Sequence, residues 1–266
     1  MEIFWFGTLA VLLIGYFALE GFDIGLGMLL PVLGRSRADR DRLVGAMAPF
    51  VLAGEVWLVA LAGVLFGAFP ALEGEVLSGL YPLVVSLLVA WILRDAGLWF
   101  RRRVDGPRST AAWRSLWDWA VCLGSAGLAL TWGMALVAMA HMAHMAHMAT
   151  GMSGPLLDPL SAAGGVVVAT AFCFHGWTFA AWRLPGDPAA RGAVRTGWGL
   201  LLSACAAAAP AAVAVAFLAS AIVGHAAPPE TLSVLSVMVL PFAPILVGAQ
   251  VWVWRTFSRG AVPTFF

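Results

Sequence analysis

The chain of 266 residues contains no lysine, and only 11% of its residues carry a charge. A water-soluble domain of this size would carry about twice that charged fraction. Hydrophobic residues make up 62% of the sequence, and the mean hydropathy is +0.92. The net charge of +1 and the lack of a basic tail give no indication of nucleic-acid binding. This composition excludes a soluble globular domain and predicts a membrane protein.

Cysteines are also few. Cys122, Cys173 and Cys205 all lie in apolar segments, and their spacing does not match a metal site, so neither a disulfide nor zinc is predicted. The first apolar segment has no basic region before it and no small-residue cleavage site after it. It is therefore interpreted as a retained membrane span rather than as a signal peptide.

Apolar segments recur between short polar breaks, a pattern that predicts a polytopic bundle of transmembrane helices. We expect an all-α fold with a single membrane-embedded domain over 1–266 and no inserted soluble domain. The seven predicted spans are 3–33, 45–70, 76–100, 115–140, 160–182, 197–223 and 231–254.

The arginines indicate the orientation of the spans. Fourteen of the fifteen follow the odd-numbered spans: Arg35, Arg37, Arg40, Arg42, Arg101, Arg102, Arg103, Arg108, Arg114, Arg183, Arg191, Arg195, Arg255 and Arg259. The loops on the opposite side carry acids and no arginine. Because arginine-rich loops stay in the cytoplasm, we predict an N-terminus outside and a cytoplasmic C-terminus.

Two carboxylates, Glu20 and Asp23, interrupt the first apolar run. Along a helix, Glu20 lies about 22 Å and Asp23 about 18 Å from Arg35. Glu55, the acid of the second span, lies about 20 Å from Arg42 by the same measure. An ionised side chain at this depth costs on the order of 3 kcal/mol or more. The three acids are therefore expected at one level, where they need a compensating function or partner.

A level of three acids can take up and release a translocated proton, so Glu20, Asp23 and Glu55 are predicted to form a proton pathway. The alternative is that they are neutral acids whose hydrogen bonds only support helix packing. Gly21 and Gly25 form a small-xxx-small pair beside the first two acids, which favours close contact with a neighbouring helix.

Residues 20–29, which read EGFDIGLGML, resemble the first-helix motif of subunit II of cytochrome bd-type quinol oxidases. Further matches follow in the same order along the chain. They resemble the family's second helix at 48–49, 55–58 and 65–70, the end of its third at 93–94, the start of its fourth at 113–119 and 124–125, and its last helix at 231–254. Most of the specificity lies in the first 125 or so residues, and five ordered matches are more specific than any one of them.

This resemblance implies a haem-free subunit of a heterodimeric terminal oxidase in the bacterial plasma membrane. The expected partner is a haem-bearing subunit I with b- and d-type haems, which oxidises quinol and reduces dioxygen to water. Quinone and membrane lipid are the other expected partners, and nucleic acid is not one. Glu20 and Asp23 align with acids that the family places in a proton pathway.

The chain departs from the family pattern at three places. Leu52 and Trp99 stand where the family carries an acid, which removes two carboxylates from the implied pathway. The chain also appears two spans shorter than the nine that the family normally has, with the loss before the last span. The scaffold role that the resemblance implies does not depend on these acids.

Two further charged residues lie near the predicted cytoplasmic edge. Arg94, near the end of the third span, and Asp118, near the start of the fourth, are expected to pair and fix these spans together. The alternative role for this pair is proton uptake from the cytoplasm.

Residues 139–148 read MAHMAHMAHM and place His141, His144 and His147 three residues apart. Imidazole and thioether suit copper, but three-residue steps drift by about 60° each around a helix. A slipped low-complexity repeat is therefore favoured, and no metal site is predicted. His175, the one histidine clearly within a span, is predicted to be a packed, hydrogen-bonded residue and not a haem ligand.

The first functional hypothesis is subunit II of a bd-type quinol:dioxygen oxidoreductase, with no redox centre of its own. A proton-coupled transporter or channel acting alone is the rival, although no pair of interrupted spans in corresponding halves supports it. A third possibility is a pure assembly subunit.

Overall fold

The computed structural model describes residues 1–103, 109–145, 158–184 and 196–258. Within these ranges the chain is helical, and it forms no strand. The helices are α1 (Glu2–Leu33), α2 (Arg37–Ala68), α3 (Pro70–Gly79), α4 (Tyr81–Phe100), α5 (Ser109–Met145), α6 (Pro159–Arg183), α7 (Gly197–Gly224), α8 (Pro229–Val239) and α9 (Ala243–Phe257). A 3-10 turn, Leu240–Phe242, joins the last two.

Seven helical stretches of the described chain are long and apolar enough to cross a membrane. They are α1, α2, α4, α5, α6, α7, and α8 with α9 taken as one stretch, Pro229–Phe257. The predicted all-α, seven-span fold is thereby confirmed. One predicted boundary is wrong: the third span, set at 76–100, begins inside α3, and the membrane-length helix starts at Tyr81, just before Pro82.

A tight turn joins α1 to α2 and sets them side by side. The Gly34 N–H donates to the Leu30 carbonyl and ends α1. Ser36 and Asp39 form a capping box at the start of α2, in which the Asp39 N–H donates to Ser36 Oγ (3.1 Å) and the Ser36 N–H donates to the Asp39 carboxylate (2.9 Å). This cap starts α2 at Arg37, eight residues before the predicted span, and returns it antiparallel to α1.

The centre of the bundle is α1, which packs against α2, α5, α6 and α7. Its contact with α6 is made backbone to backbone. A Cβ atom on Gly25 would collide with the Phe172 carbonyl, and one on Gly176 would collide with the backbone at Leu26. The close approach predicted for the glycines beside Glu20 and Asp23 is therefore present at Gly25.

Apart from the buried Arg94, the described arginines gather at one end of the bundle, called here the arginine-rich end. It comprises the α1–α2 turn, the first turns of α2 and α5, and the ends of α4, α6 and α9. Arg108, Arg191, Arg195 and Arg259, which were part of the orientation argument, lie outside the described residues. The side of the membrane on which this end lies stays a prediction.

Two large apolar clusters and one small one fill the interior. The first lies toward the arginine-rich end and includes Phe22, Leu26, Leu30, Met47, Phe50 and Phe179. The second fills most of the remaining bundle and includes Trp5, Phe17, Leu61, Trp132, Phe172 and Leu218. The small cluster, Leu80, Leu83 and Ala138, lies where the start of α4 meets α5. Glu20 and Asp23 lie on α1 where the two large clusters meet, so the buried charges occupy the boundary between them.

The last span is held mainly along α2. The Gln250 amide nitrogen donates to the Ala53 carbonyl (3.1 Å), and its oxygen accepts from the Trp254 indole (3.1 Å). Trp254 packs on Phe50 with ring centroids 4.8 Å apart. Most other residues of this span are exposed on the isolated chain.

Candidate functional site

Arg94 on α4 is fully buried and contacts four carboxyl groups. Its Nη2 lies 2.7 Å from Asp23 Oδ1. Its Nη1 lies 3.2 Å from Glu20 Oε1, 3.3 Å from Asp95 Oδ1 and 3.5 Å from Glu55 Oε1. These five residues, contributed by α1, α2 and α4, are called the Arg94 cluster below.

The structure brings together the three acids that the sequence placed at one depth. Glu20 and Asp23 face α4 from adjacent turns of α1, and Glu55 reaches the same guanidinium from α2. On α4, however, the cluster lies six residues, or about 9 Å, from Arg101 at the arginine-rich end. Measured along α4, the cluster is thus nearer the arginine-rich end than the distances of about 18–22 Å along α1 and α2 had predicted.

Two glycines make room for the cluster. Gly54 on α2 lies against the Glu20 side chain, and a Cβ atom there would collide with the Glu20 carboxyl group. Gly124 on α5 lies against the backbone of Ala90 and Arg94, so α4 and α5 meet without an intervening side chain. These contacts fix both partners of the Glu20–Arg94 ion pair in position.

The four carboxyl groups form an inner and an outer pair. In the inner pair, Glu20 and Asp23 are 1% and 0% exposed and lie within hydrogen-bonding reach of each other. In the outer pair, the Glu55 and Asp95 side chains are 13% and 27% exposed and also lie within reach of each other. Arg94 contacts both pairs, so it links a sealed site to one that opens at the side of the bundle.

The inner pair also has unsatisfied acceptors. Glu20 Oε2 and Asp23 Oδ2 are buried, and neither receives a hydrogen bond from a described group. Two carboxylate oxygens cannot bond each other unless one of them carries a proton. A proton held between the inner carboxyl groups would satisfy both oxygens.

Aromatic side chains pack on the same stretch of α1 as the inner pair. Phe17 lies against Trp132 on α5, with ring centroids 5.5 Å apart. Phe22 stacks on Phe179 of α6, with centroids 4.0 Å apart. Of the described cluster, the inner carboxyl groups are buried, and the outer pair is the part that reaches the surface.

The outer pair opens on a lateral surface of α2 and α4, called here the α2–α4 face. Around Glu55 and Asp95, one turn away along each helix, this face carries exposed apolar side chains: Leu52, Val59, Ile92 and Trp99. A carboxyl group in such a setting requires a polar or protein partner in hydrocarbon. The α2–α4 face is thus suited to contact with another membrane subunit.

Two members of the site were not anticipated from the sequence. Asp95 joins the cluster, and the Trp91 indole donates to Glu55 Oε1 (3.2 Å). The available signal was Asp95 itself, an acid inside the apolar α4 segment and directly after Arg94. Trp91 gave no signal, because a tryptophan in a span is ordinarily a packing or interfacial residue.

The predicted pairing of Arg94 with Asp118 is wrong. Arg94 is occupied by the four acids of its cluster, and Asp118 is bound by two other arginines. Arg101 donates to Asp118 Oδ1 through Nε (3.1 Å) and Nη2 (2.8 Å), and Arg40 donates to Oδ2 (3.1 Å). Arg101 lies seven residues beyond Arg94 on α4, so it reaches α5 at the level of Asp118, whereas Arg94 reaches α1 and α2.

Asp118 therefore belongs to a second network at the arginine-rich end. Asp41 on α2 also binds Arg101 (2.7 Å) and Arg102 (3.1 Å). This network links α2, α4 and α5 through buried Arg101, which is a structural arrangement. Asp118 does join the third span to the fourth, as predicted, but its partner at the end of α4 is Arg101.

Of the three repeat histidines, only the His141 side chain lies in the part of the chain that the structure describes. His141 lies near the end of α5, where its Nδ1 is 3.6 Å from Asp158, while the His144 side chain and the whole of His147 lie outside what the structure describes. Among the described residues, no group of three His, Cys, Asp or Glu side chains could hold a metal ion. The interpretation of the repeat as low complexity stays a prediction.

His175 does not fit a haem ligand. Its Nδ1 lies 2.8 Å from Ser203 Oγ, and its Nε2 lies 3.1 Å from the Ala18 carbonyl. The imidazole is 1% exposed, so both nitrogens are engaged and no face is open to iron. His175 instead links α6 to α1 and α7, as the sequence predicted.

Fold and site together define the class: this is a multi-pass helical membrane protein with a charge cluster buried between three spans. Residues 1–226 match the sequence profile of the family described as "Cytochrome bd terminal oxidase subunit II". The chain belongs to this family, as the first-helix motif had indicated, and it is a protein of the bacterial plasma membrane.

Three relatives illustrate the match. "Cytochrome bd ubiquinol oxidase subunit 2" of Bacillus subtilis is 36% identical over 186 residues, 69% of this chain and 54% of the relative. "Cytochrome bd-I ubiquinol oxidase subunit 2" of Escherichia coli is 30% identical over 193 residues, 70% and 50% of the two chains. "Probable cytochrome oxidase subunit 2" of Haemophilus influenzae is 32% identical over 182 residues, 66% and 47%. The chain spans about half the length of these curated relatives.

Proposed function

We propose that this chain is the haem-free subunit II of a bd-type quinol:dioxygen oxidoreductase. It stabilises a haem-bearing subunit I and conducts protons through Glu20, Asp23 and Glu55. The observation that carries the proposal is the Arg94 cluster, in which four acids surround one guanidinium inside the bundle.

The charge of the cluster supports a proton-holding role. If all four acids were ionised, four negative charges would face one positive charge. Two unit charges about 4 Å apart interact by about 4 kcal/mol at the effective dielectric constant that suits protein interiors. Three unbalanced charges in hydrocarbon are therefore too costly, and some of the carboxyl groups hold protons while the complex works at neutral pH.

The geometry supports transfer between the two pairs. Arg94 Nη1 touches Glu20 as well as Glu55 and Asp95, so a proton that moves from the outer to the inner pair stays within one hydrogen-bonded group. A purely structural ion pair would need one carboxylate for Arg94 and would leave the others without a purpose. The surplus acids favour proton conduction over packing alone.

The α2–α4 face supports a partner subunit. Apolar side chains on this face surround Glu55 and Asp95, and lipid cannot solvate these carboxyl groups. A second membrane protein can cover the apolar side chains and also offer polar partners to the two acids. The family resemblance implies b- and d-type haems, and we place them in that partner, since His175 of this chain has no free nitrogen to bind one. There they would supply the electron transfer from quinol to oxygen.

The role of this chain in the reaction is then acid–base chemistry. Reduction of dioxygen to water takes up one proton for every electron delivered. The Arg94 cluster would hold such protons out of contact with bulk water and release them toward the partner through the outer pair.

The test is oxygen uptake by the purified complex. Glu20→Gln and Asp23→Asn keep the size of each side chain but cannot release a proton. We expect both variants to co-purify with the haem-bearing subunit and to lose tenfold or more of the turnover, about what a proton-transfer group contributes at the low end. Glu230→Gln, which alters an exposed acid at the start of α8, is the matched control and should keep full turnover.

Two outcomes would overturn parts of the proposal. Normal turnover in both variants would leave a pure assembly role and remove the proton pathway. A stable chain that never associates with a haem protein, yet carries protons across liposomes, would replace the oxidase assignment with a transporter acting alone.

A further inference from the structure

The structure points to Asp95 as the group through which the Arg94 cluster exchanges protons with its surroundings. We propose that Asp95 and Glu55 share one proton as the outer pair, and that Asp95 is its point of uptake and release. This inference rests on the proposed function, because it adds a residue to the same proton pathway. Asp95 is not among the acids that the sequence had indicated.

The position of Asp95 carries the first step of the argument. Its carboxyl group is the most exposed of the four, at 27%, against 13% for Glu55 and 1% and 0% for the inner pair. Exposure thus decreases from Asp95 through Glu55 to Glu20. A proton that enters the cluster from outside the chain meets Asp95 first.

The contacts of the outer pair carry the second step. Trp91 donates to Glu55 Oε1, and the same oxygen faces Arg94 Nη1 at 3.5 Å. This holds the Glu55 carboxyl group in one orientation, with Asp95 within hydrogen-bonding reach. A bond between two carboxyl groups needs one proton, so this geometry is suited to a shared proton.

The buried oxygens of the inner pair supply an independent observation. Glu20 Oε2 and Asp23 Oδ2 are buried and receive no hydrogen bond from a described donor, so the inner pair has free acceptor sites that a proton would satisfy. Glu20 and Asp95 both contact Arg94 Nη1, at 3.2 and 3.3 Å. The outer and inner pairs are therefore close enough for a proton delivered at Asp95 to reach the unsatisfied oxygens.

Asp95 also lies toward the arginine-rich end, which the arginine pattern predicts to be cytoplasmic and therefore the source of protons. It is the member of the cluster nearest Arg101 along α4, six residues away. Leu52 and Trp99, the neighbouring positions on the α2–α4 face, carry apolar side chains that cannot pass a proton. Of the described side chains on this face, Asp95 and Glu55 are the ones that titrate.

The experiment uses the assembled complex with Asp95→Asn, Asp95→Glu and the Glu230→Gln control. We expect Asp95→Asn to assemble, to lose about tenfold of its oxygen-uptake turnover, and to show a larger solvent deuterium isotope effect. The loss should grow as the pH rises, because protons become scarcer. Asp95→Glu should restore most of the turnover, since it replaces the carboxyl group.

Infrared spectra provide the direct test of sharing. A carboxyl band that belongs to a shared proton should disappear in both Asp95→Asn and Glu55→Gln. Two separate bands, each lost only with its own residue, would overturn the shared proton. Asp95→Asn with unchanged turnover and isotope effect, but lower thermal stability, would reduce Asp95 to a counter-charge for Arg94.

The two proposals fail in different ways. If Glu20→Gln and Asp23→Asn lose turnover while Asp95→Asn does not, the pathway stands and the role of Asp95 is wrong. If none of the three variants loses turnover, the proton pathway itself is wrong and the role of Asp95 falls with it.

Discussion

Gly54 on α2 lies directly against the carboxyl group of Glu20 on α1, at the point where a side chain of any size would displace that acid from Arg94. This contact makes the antiparallel packing of the first two spans part of the charge cluster. Gly54 has no functional group, but its small size is what allows Glu20 to reach Arg94.

Gly54→Ala is therefore expected to destabilise the protein. Overpacking of a close contact costs about 1–3 kcal/mol, and here the displaced group is a buried acid that would lose its ion pair. We expect a lower thermal unfolding midpoint in detergent and less assembled complex. Gly63→Ala on the same helix, where no atom lies within 4 Å of the added methyl group, should behave like the wild type.

Arg94 should be the most sensitive position in the chain. Arg94→Gln leaves four acids without their cation, and the loss of one partner from a buried ion pair costs about 3–5 kcal/mol. Arg94→Lys keeps the charge but loses the fork that reaches the inner and outer pairs together. Protein yield and unfolding midpoint should fall in the order wild type, Arg94→Lys, Arg94→Gln.

The control for Arg94 is Arg37→Gln, which alters an exposed arginine in the first turn of α2. It should leave stability within experimental error. Equal stability of Arg94→Gln and wild type would mean that the four acids carry no charge, and that the cluster needs no cation.

The chain purified without its partner should show no haem absorption. Both His175 nitrogens are already engaged by Ser203 and Ala18, so the buried imidazole cannot take an axial position. His175→Ala should lower thermal stability, because it removes the hydrogen bonds to Ser203 Oγ and the Ala18 carbonyl and leaves a cavity between α6, α1 and α7. The haem content of the assembled complex should not change, and a haem band from the chain alone would contradict this assignment.

Asp158, the N-cap of α6, should make stability depend on pH in the acid range. The Ser161 hydroxyl and N–H donate to its carboxylate at 2.6 and 2.9 Å and hold the pKa of Asp158 below its ordinary value. Because the folded pKa is the lower one, the stabilisation is complete above the unfolded pKa. It is lost as the pH falls through the folded pKa.

Unfolding midpoints measured across the acid range test this prediction. Asp158→Asn keeps a capping oxygen but has no carboxylate to protonate, so its acid loss should be smaller than that of the wild type. Ser161→Ala removes one donor and should move the loss to higher pH. Parallel curves for wild type and Asp158→Asn would rule out a contribution from this cap.

The sequence predicted the spans, and the meeting of three acids, better than it predicted the partners of those acids. Similar spacing from the arginines along α1 and α2 placed Glu20, Asp23 and Glu55 at one level, and the structure brings them together at Arg94. The direction in which a long arginine side chain extends depends on how neighbouring helices are rotated. One sequence does not give that rotation, so it could not tell that Arg94 pairs with the four acids and Arg101 with Asp118. The contact of Asp95 with Glu55 joins two helices, and such a contact leaves no regular spacing within one segment of the chain.

The order of the cluster along the chain has a consequence for biosynthesis. Glu55 leaves the ribosome 39 residues before Arg94, and Glu20 and Asp23 leave earlier still. At about 5–20 residues per second, the translocon receives the first two spans about 2–8 s before their cation. During that interval, the acids can rest in the lipid only as neutral groups. The acids of the nascent hairpin must therefore be protonated before Arg94 is available to balance their negative charge.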